Sequence, residues 1–131
     1  MMKCAALTGI SADVIRELKR GRPRTLEVQS AHNVITLSGV APGTRIFMTD
    51  VDRDDLAVGD NGILVDVISI GIMMKRIIEF SHGSHFEERE RMAARVQVRY
   101  CANSSVKEVS SVETILPTTV EVLKVNCCHA G

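Results

Sequence analysis

The segment ILVDVISIGI, residues 63–72, decides the fold class that the sequence predicts. It is a nearly continuous run of aliphatic, largely β-branched side chains, which is typical of a strand covered on both faces. Shorter segments of strand composition follow it at 75–80, 94–101, 106–111 and 120–125. We therefore expect a mainly β protein of about six to eight short strands, with residues 63–72 as a central strand.

One helix is predicted upstream of this run, over residues 11–21, SADVIRELKRG. Ser11 is a typical N-cap, and Gly21 can end the helix in the left-handed conformation. Val14 and Leu18 fall on one face, so that face should be buried while the charged residues stay in water. A short apolar opening before this helix could form an edge strand.

Two strands are predicted between the helix and the central strand. Leu26 and Val28 alternate with polar residues, which is typical of a half-buried strand. Residues 33–40, NVITLSGV, alternate in the same way and predict another strand. Pro42 and Gly43 then occupy the usual positions of a turn before the next strand.

The arrangement of these elements favours a small, closed or nearly closed β-barrel. Closure removes exposed edges, on which strands this rich in Val and Ile would aggregate. One N-terminal helix would flank the barrel, and Ser84 with Glu87 fits a capping box that would start a helical turn near residues 85–92. No linker or internal repeat interrupts the chain, so we expect a single α+β domain over residues 1–131.

The composition limits the functions that the chain can have. Basic and acidic residues number 16 each, so the formal net charge is zero and nucleic-acid binding would need a local basic patch. Aromatic residues make up 3% of the chain, too few for a platform that stacks single-stranded bases. No apolar run has the length of a membrane span, and the four cysteines show no CxxC spacing. We expect a cytoplasmic protein that does not enter a membrane.

A local cluster of charge surrounds the segment GRPRTLEVQS. The guanidinium groups of Arg20, Arg22 and Arg24 could cradle a phosphate, and Glu27 could accept an amino group of a base. The same residues could instead form the solvated end of the helix, with Arg24 paired to Glu27. The residues alone leave both interpretations open.

A second cluster, HGSHFEERER, contains His82 and His85. These two histidines with a neighbouring glutamate could bind zinc, but the alternating charges fit a solvated helical turn equally well. We predict no metal or other cofactor. Arg89 and Arg91 could join Arg24 at one rim of the barrel and form a local positive patch there.

The segment after the helix resembles a known family. A short amphipathic helix is followed by G-x-x-[KR]-T-[LIV]-E-[LIV], a strand and a Pro-Gly turn, as in ASCH domains of the PUA-like (pseudouridine-synthase-and-archaeosine-transglycosylase) barrel superfamily. The matching residues are Gly21, Arg24, Thr25, Leu26, Glu27, Val28, Val40, Pro42, Gly43 and Ile46. This likeness covers about the first half of the chain. Nearly the whole chain also resembles an archaeal family of unknown function, through TLE near the start, a GI…V strand mid-chain and the segment from Glu87 to Met92.

The ASCH resemblance implies a cleft between the first helix, the loop after it and the neighbouring strands. Members of the wider superfamily bind RNA or modified nucleotides, and some ASCH proteins hydrolyse an acylated cytidine with a lysine, a threonine and a glutamate. Thr25 matches that threonine, but Arg24 stands at the lysine position and Gln29 replaces an arginine common after the glutamate. Because an arginine cannot readily release a proton, the resemblance favours binding over hydrolysis.

We therefore predict a non-catalytic protein that binds RNA or a nucleotide-like ligand in a cleft beside the first helix. The predicted ligand-binding residues are Arg22, Arg24, Thr25, Glu27, Ser30, Asn33, Arg89 and Arg91. Two other functions stay open. One is a small nucleoside amidohydrolase of ASCH type with Thr25 and Glu27 as catalytic residues, and the other is a structural, homo-oligomeric interaction module.

Overall fold

The computed structural model describes residues 2–81, 85–111 and 117–127. Its strands are β1 Met2–Leu7, β2 Arg24–Val28, β3 Arg45–Met48, β4 Asn61–Ser81, β5 His85–Ser111 and β6 Thr119–Cys127. Its helices are α1 Ala12–Leu18 and α2 Ala31–Ser38, with a short 3-10 turn at Arg53–Asp55. The prediction of a mainly β, α+β protein is confirmed. In the described part of the chain, no helix has the length and apolar character needed to cross a membrane.

The strands form one sheet whose pairings return to their starting point. The order is β2-β5-β4-β3-β1-β6, and β5 pairs additionally with β6. The pairing of β1 with β3 is parallel, and the other pairings are antiparallel. β5, β4, β3, β1 and β6 thus make a closed circuit of hydrogen-bonded neighbours, with β2 attached outside this circuit along β5. The opening strand was predicted as an edge, but it lies between β3 and β6.

The central strands are buried on both faces because their side chains alternate between two cores. In β3, Ile46 and Met48 enter a core formed with α1, α2 and β2, whereas Phe47 enters a second core formed with β5 and β6. In β4, Val65 enters the first core and Leu64 the second, and both are fully buried. The predicted central strand at 63–72 therefore has the expected environment over its first half.

The pairing of β4 with β5 continues far beyond this covered region. After two register shifts, the ladder runs without interruption from Ser69 opposite Gln97 to Ser81 opposite His85. β2 ends its own pairing at Ala94. Residues 73–81 and 85–93 therefore extend from the sheet as two strands, which we call the ribbon.

The prediction of a helical turn near residues 85–92 was wrong, because these residues belong to β5. Pairing with residues 74–81 of β4 decides their conformation, and a local capping pattern cannot report a partner so distant in sequence. The strands predicted at 63–72 and 75–80 are likewise one strand, and those at 94–101 and 106–111 are another.

The prediction of a strand at 33–40 was also wrong, because most of this segment is α2. The apparent period of two came from Ile35 and Leu37, but Ile35 is only half-buried, whereas Thr36 between them is buried. Its hydroxyl donates to the carbonyl of His32 at 2.8 Å and accepts from the backbone N–H of Thr118 at 3.1 Å. A threonine whose hydroxyl is fully hydrogen-bonded can therefore lie on the buried face of a helix, although its polarity suggests an exposed position.

Two local predictions near the helix and the turn are confirmed. α1 forms within the predicted segment, Leu18 is buried, and Gly21 follows with φ +90°. Gly43 has φ +89° in the turn that precedes β3, and its N–H donates to the carbonyl of Val67 at 2.7 Å. Both glycines occupy the left-handed region that other L-residues rarely adopt.

Candidate functional site

A cavity of about 430 Å³ lies between the start of α1 and β2. Residues 9–11, which lead into α1, and Val14 form one wall, and residues 24–29 form the opposite wall. Ser30 and Asn33, at the start of α2, complete the lining. Five of the predicted ligand-binding residues line this cavity: Arg24, Thr25, Glu27, Ser30 and Asn33.

The position of β2 explains why so many consecutive residues line one cavity. In the described chain β2 pairs with β5 alone, so its second edge faces the start of α1 instead of another strand. Leu26 and Val28 are buried against the first core, while Thr25 and Glu27 are exposed. The cavity therefore offers apolar surface, polar side chains and strand-edge backbone groups together.

The loop opposite β2 is held by backbone hydrogen bonds and by a glycine. The N–H of Gly9 donates to the carbonyl of Val51 at 2.8 Å, and that of Ile10 donates to the carbonyl of Thr49 at 3.0 Å. Gly9 has φ +66°, and a Cβ there would lie 3.1 Å from Oδ1 of Asp52. A side chain at this position would thus be strained by the backbone and crowded by a carboxylate.

Glu27 is the most strongly engaged of the lining residues. Lys75 Nζ donates to its Oε2 at 2.6 Å, Gln29 Nε2 donates to the same oxygen at 2.8 Å, and Arg95 Nε lies 3.6 Å from Oε1. The hydrogen bond from Lys75 is the largest of the effects that lower the pKa of the Glu27 carboxyl below its ordinary value. Glu27 is therefore ionised at neutral pH and acts as a hydrogen-bond acceptor.

Asn33 has a structural role at the bottom of the cavity. Its Oδ1 accepts from the backbone N–H of Thr8 at 3.1 Å, and its Nδ2 donates to the carbonyl of Thr8 at 2.9 Å. The residue is 4% exposed, so these bonds satisfy backbone groups that water does not reach. Asn33 thereby fixes the start of α2 against the end of β1.

Ser30 lies where several hollows meet. It borders the main cavity, a hollow shared with Gln29 and Arg91, and a third one shared with His32 and Arg53. Ser30 is the N-cap of α2 but makes no side-chain cap hydrogen bond, and the first turn of α2 has no acidic residue. Its hydroxyl is thus available beside backbone N–H groups that lack partners within the helix.

The remaining predicted arginines lie outside the main cavity. Arg22 lines a hollow of about 470 Å³ that Arg24 also borders, on the side of Glu17 and Arg20. Arg91 lines the hollow next to Ser30, and its Nη1 lies 3.5 Å from Oε1 of Gln29. The register therefore brings Arg91 to the rim of the site.

Arg89 is one step further along the ribbon, opposite Ile77. Within the described chain it does not appear among the residues that line these cavities. Of the two ribbon arginines that were predicted to join Arg24 at one rim, Arg91 borders a hollow next to the site, and Arg89 borders none of these cavities.

Sequence reasoning missed part of the lining. Residues 9–11 and Val14 form a whole wall, and Gln29 connects Glu27 to Arg91. Gly9, two residues before the N-cap Ser11, was the available signal, because a glycine there permits a sharp turn. Gln29 was noted only as a departure from the ASCH motif.

The histidines of the alternative metal site lie outside the described side chains. His82 falls outside the described residues, as does the side chain of His85. Among the described side chains, no three of His, Cys, Asp and Glu come together in a way that could hold a metal ion. His32 is half-buried, and burial is the main effect that lowers its pKa below the ordinary value, followed by the charge of Arg53.

The comparisons with known proteins bear on nearly the whole chain. The family described as Protein of unknown function (DUF473) matches residues 2–120. The chain is also similar to the uncharacterised protein MJ0105 of Methanocaldococcus jannaschii, with 32% identity over 98 residues that cover 75% of this chain. The match spans 60% of the length of that curated relative. No solved structure matches. The predicted likeness to an archaeal family of unknown function is confirmed, and the chain belongs to the DUF473 family.

Proposed function

We propose that this protein binds RNA or a nucleotide-like ligand in the cavity beside α1, without catalysing a reaction. The observation that carries the proposal is that Arg24, Thr25, Glu27 and Ser30 line one cavity together with the start of α1. Its volume of about 430 Å³ lies within the range of small-molecule sites. The closed circuit of strand pairings supports a PUA-like barrel, the fold that the ASCH resemblance implies.

The chemistry of the lining suits a nucleotide. Ile10, Leu26 and Val28 provide apolar surface for the faces of a base. The ionised carboxylate of Glu27 can accept hydrogen bonds from an exocyclic amino group, and the guanidinium of Arg24 can donate two parallel hydrogen bonds to a phosphate.

An RNA chain could continue from this cavity along the rim. The hollow next to Ser30 leads to Arg91, and the hollow on the other side of Arg24 leads to Arg22. Arginines at both ends of one cavity could neutralise successive phosphates in spite of the zero net charge of the chain. Arg89 would contribute only if the ligand extended along the ribbon.

Two features favour binding over hydrolysis. Among the described residues no hydrogen bond joins the exposed Thr25 hydroxyl to a carboxylate that could activate it. The lowered pKa of Glu27 makes its carboxylate a weak base, and Lys75 and Gln29 already donate to it. An amidohydrolase based on these two residues would first have to break those contacts.

Binding of transfer RNA and of nucleoside monophosphates at several salt concentrations tests the proposal. We expect Arg24→Ala to weaken binding by about tenfold and to lower the salt slope for RNA by about one. Arg99→Ala is the matched control, since Arg99 is an exposed arginine of β5 opposite Asp66, and its loss should leave binding unchanged. Equal binding by wild type and Arg24→Ala would contradict the proposal.

A further inference from the structure

The two strands of the ribbon are not expected to be stable in water without a further strand or a covering element. Its strands 73–81 and 85–93 each reach about 30 Å at the usual rise per residue. An isolated two-stranded hairpin is at best marginally stable, and more strands or a covering element are normally needed. In the described chain, β4 has a further strand partner only up to Asp66 and β5 has one only from Ala94 onward, so both outer edges of the ribbon lack one.

One face of the ribbon carries large apolar side chains that are exposed. Met74, Ile78 and Met92, with Ile72 just before the ribbon, are between 41% and 62% exposed. Met74 pairs with Met92, and Ile72 and Ile78 lie at the same parity of β4, so all four side chains share a face, which also carries the ion pair of Arg76 with Glu88. Large apolar side chains grouped in this way commonly mark an interaction surface.

The charges of the ribbon indicate which kind of partner fits it. Residues 73–81 and 85–93 together contain four basic and four acidic residues. A polyanion or an anionic membrane gains nothing from such a balanced surface, because attraction to either requires a net positive charge. A second copy of the same ribbon meets no net repulsion.

The order of the charges further distinguishes the two edges. When two identical strands pair antiparallel about a two-fold axis, each side chain lies on the same face of the sheet in both copies. Residues directly opposite each other then have both even or both odd numbers, so at the axis one residue lies opposite its own copy. An axis through Ile77 of β4 places Lys75 opposite Glu79 of the second copy, and does so twice. An axis through Arg89 of β5 would place Glu88 opposite Glu90, and like charges directly opposite are destabilising.

We infer that two copies of this chain associate through the β4 edges of their ribbons, antiparallel about a two-fold axis at Ile77. The two ribbons then form one four-stranded sheet, with the exposed apolar side chains of both copies on the same face. In this register Met73 of one copy lies opposite Ser81 of the other, the last residue of β4, so the residues of β4 that pair with β3 lie outside the paired segment. Lys75 of the single chain donates to Glu27 across β5, so in the dimer its ammonium exchanges this contact for one with Glu79 of the second copy.

Charge reversal at the two opposed positions tests this arrangement. Sedimentation velocity over a range of concentrations should show a dimer for the wild type. Glu79→Lys and Lys75→Glu should each weaken it by about tenfold, because both opposed pairs become like-charged. An equal mixture of the two variants should restore the dimer as a heterodimer, since every pair is then complementary again.

The controls distinguish an effect on the β4 edge from an effect on the stability of the whole ribbon. Glu90→Gln removes an exposed charge on β5 without placing like charges opposite each other, and should leave the dimer unchanged. Glu79→Lys keeps the contact between Lys75 and Glu27, so its effect counts even where Lys75→Glu perturbs the fold. A wild-type chain that is monomeric at every concentration overturns the inference, as does an equal loss of dimer in Glu90→Gln or a mixture that fails to associate.

A disulfide tests the register directly. Residues directly opposite in antiparallel strands have Cα atoms about 4.5–5.5 Å apart, within the range that a disulfide spans. In a background with Cys127→Ser and Cys128→Ser, Ile77→Cys should give a covalent dimer on mild oxidation. Ile78→Cys, which would lie opposite Arg76 of the second copy, should give little. Equal cross-linking by both variants would exclude an axis at Ile77.

Discussion

The two halves of β4 have similar sequences and opposite environments. Ile63, Leu64 and Val65 are fully buried, whereas Ile72 and Ile78 are 41% and 52% exposed. Composition does not separate the halves, since both are rich in β-branched residues. The difference comes from neighbours: β3 and the helices flank the first half, and β5 alone pairs with the end of the second. Strand propensity therefore specifies the strand, while tertiary pairing specifies which part of it becomes core.

The largest expected effect is the loss of a core side chain from the covered half. Leu64→Ala should lower the free energy of unfolding by about 3 kcal/mol, because it leaves a cavity in the second core. Ile78→Ala should lower it by less than about 1 kcal/mol in a monomer, since that side chain is half in water already. Urea denaturation of both variants measures the contrast. Similar losses at the two positions would show that the ribbon is covered in the isolated chain.

Two glycines of the same strand give a second contrast. A Cβ on Gly62 would collide with the carbonyl oxygen of Met48 and lie 2.5 Å from Cζ of Phe47, whereas a Cβ on Gly71 would meet nothing within 4 Å. Gly62→Ala should therefore destabilise the protein by about 2 kcal/mol or more. Gly71→Ala should change stability by at most about 0.5 kcal/mol. Thermal unfolding of the two variants compares them, and a tolerated Gly62→Ala would contradict this packing of β3 against β4.

A smaller effect is expected where α2 covers the sheet. Asn33→Ala removes both hydrogen bonds to Thr8 and leaves buried backbone groups unsatisfied. We expect a loss of about 2 kcal/mol in urea denaturation. Ser30→Ala, three residues earlier, should change stability little because the Ser30 side chain makes no cap hydrogen bond. An equal loss in both variants would mean that the Asn33 contacts do not hold α2.

The smallest effect concerns the ion pair that ties β2 to the outer half of β4. Lys75→Met should raise the pKa of Glu27 towards its ordinary value, as measured by NMR titration of the carboxyl carbon. Because the folded-state pKa of Glu27 lies below that of the unfolded chain, its contacts add stability above the unfolded-state pKa. That added stability is lost as the pH falls through the folded-state pKa.

The Lys75→Met variant should consequently lose less stability on acidification than the wild type. Arg95→Met is the matched control, because Arg95 lies 3.6 Å from Glu27 and contributes the last and weakest of the lowering effects. A larger pKa change in the Arg95 variant would show that the contact between Lys75 and Glu27 does not persist in solution.

Local signals in the sequence were sufficient where the local chain decides the structure. The left-handed glycines at 21 and 43 and the apolar face of α1 follow from nearby residues alone. The same reasoning failed at residues 33–40, where buried Asn33 and Thr36 are satisfied by partners far away in the sequence. It also failed at residues 85–92, where the partner strand overrides a helical capping pattern.

The candidate site was accessible only through a motif. The residues alone favoured a solvated helix end over a ligand cradle. The ASCH likeness pointed to the segment 24–30, and that segment lines a single cavity with the start of α1. Residues 9–11 offer Gly9 as their local signal, and contacts with Thr49 and Val51, far away in the sequence, hold them opposite β2, so the sequence alone could not assign that wall.

The pairing of β1 with β6 has a consequence for how the protein is made. Met2 lies opposite Val122 and Ala5 opposite Thr119, so the first strand completes its ladder with the last one. A ribosome must therefore extrude almost the entire described chain before the sheet can close, and until then the edges of β1 and β5 that β6 covers are unpaired. Nascent chains should depend on rapid completion or on chaperones during this interval, and folding should be slow for a domain of this length because its decisive contacts are so distant along the chain.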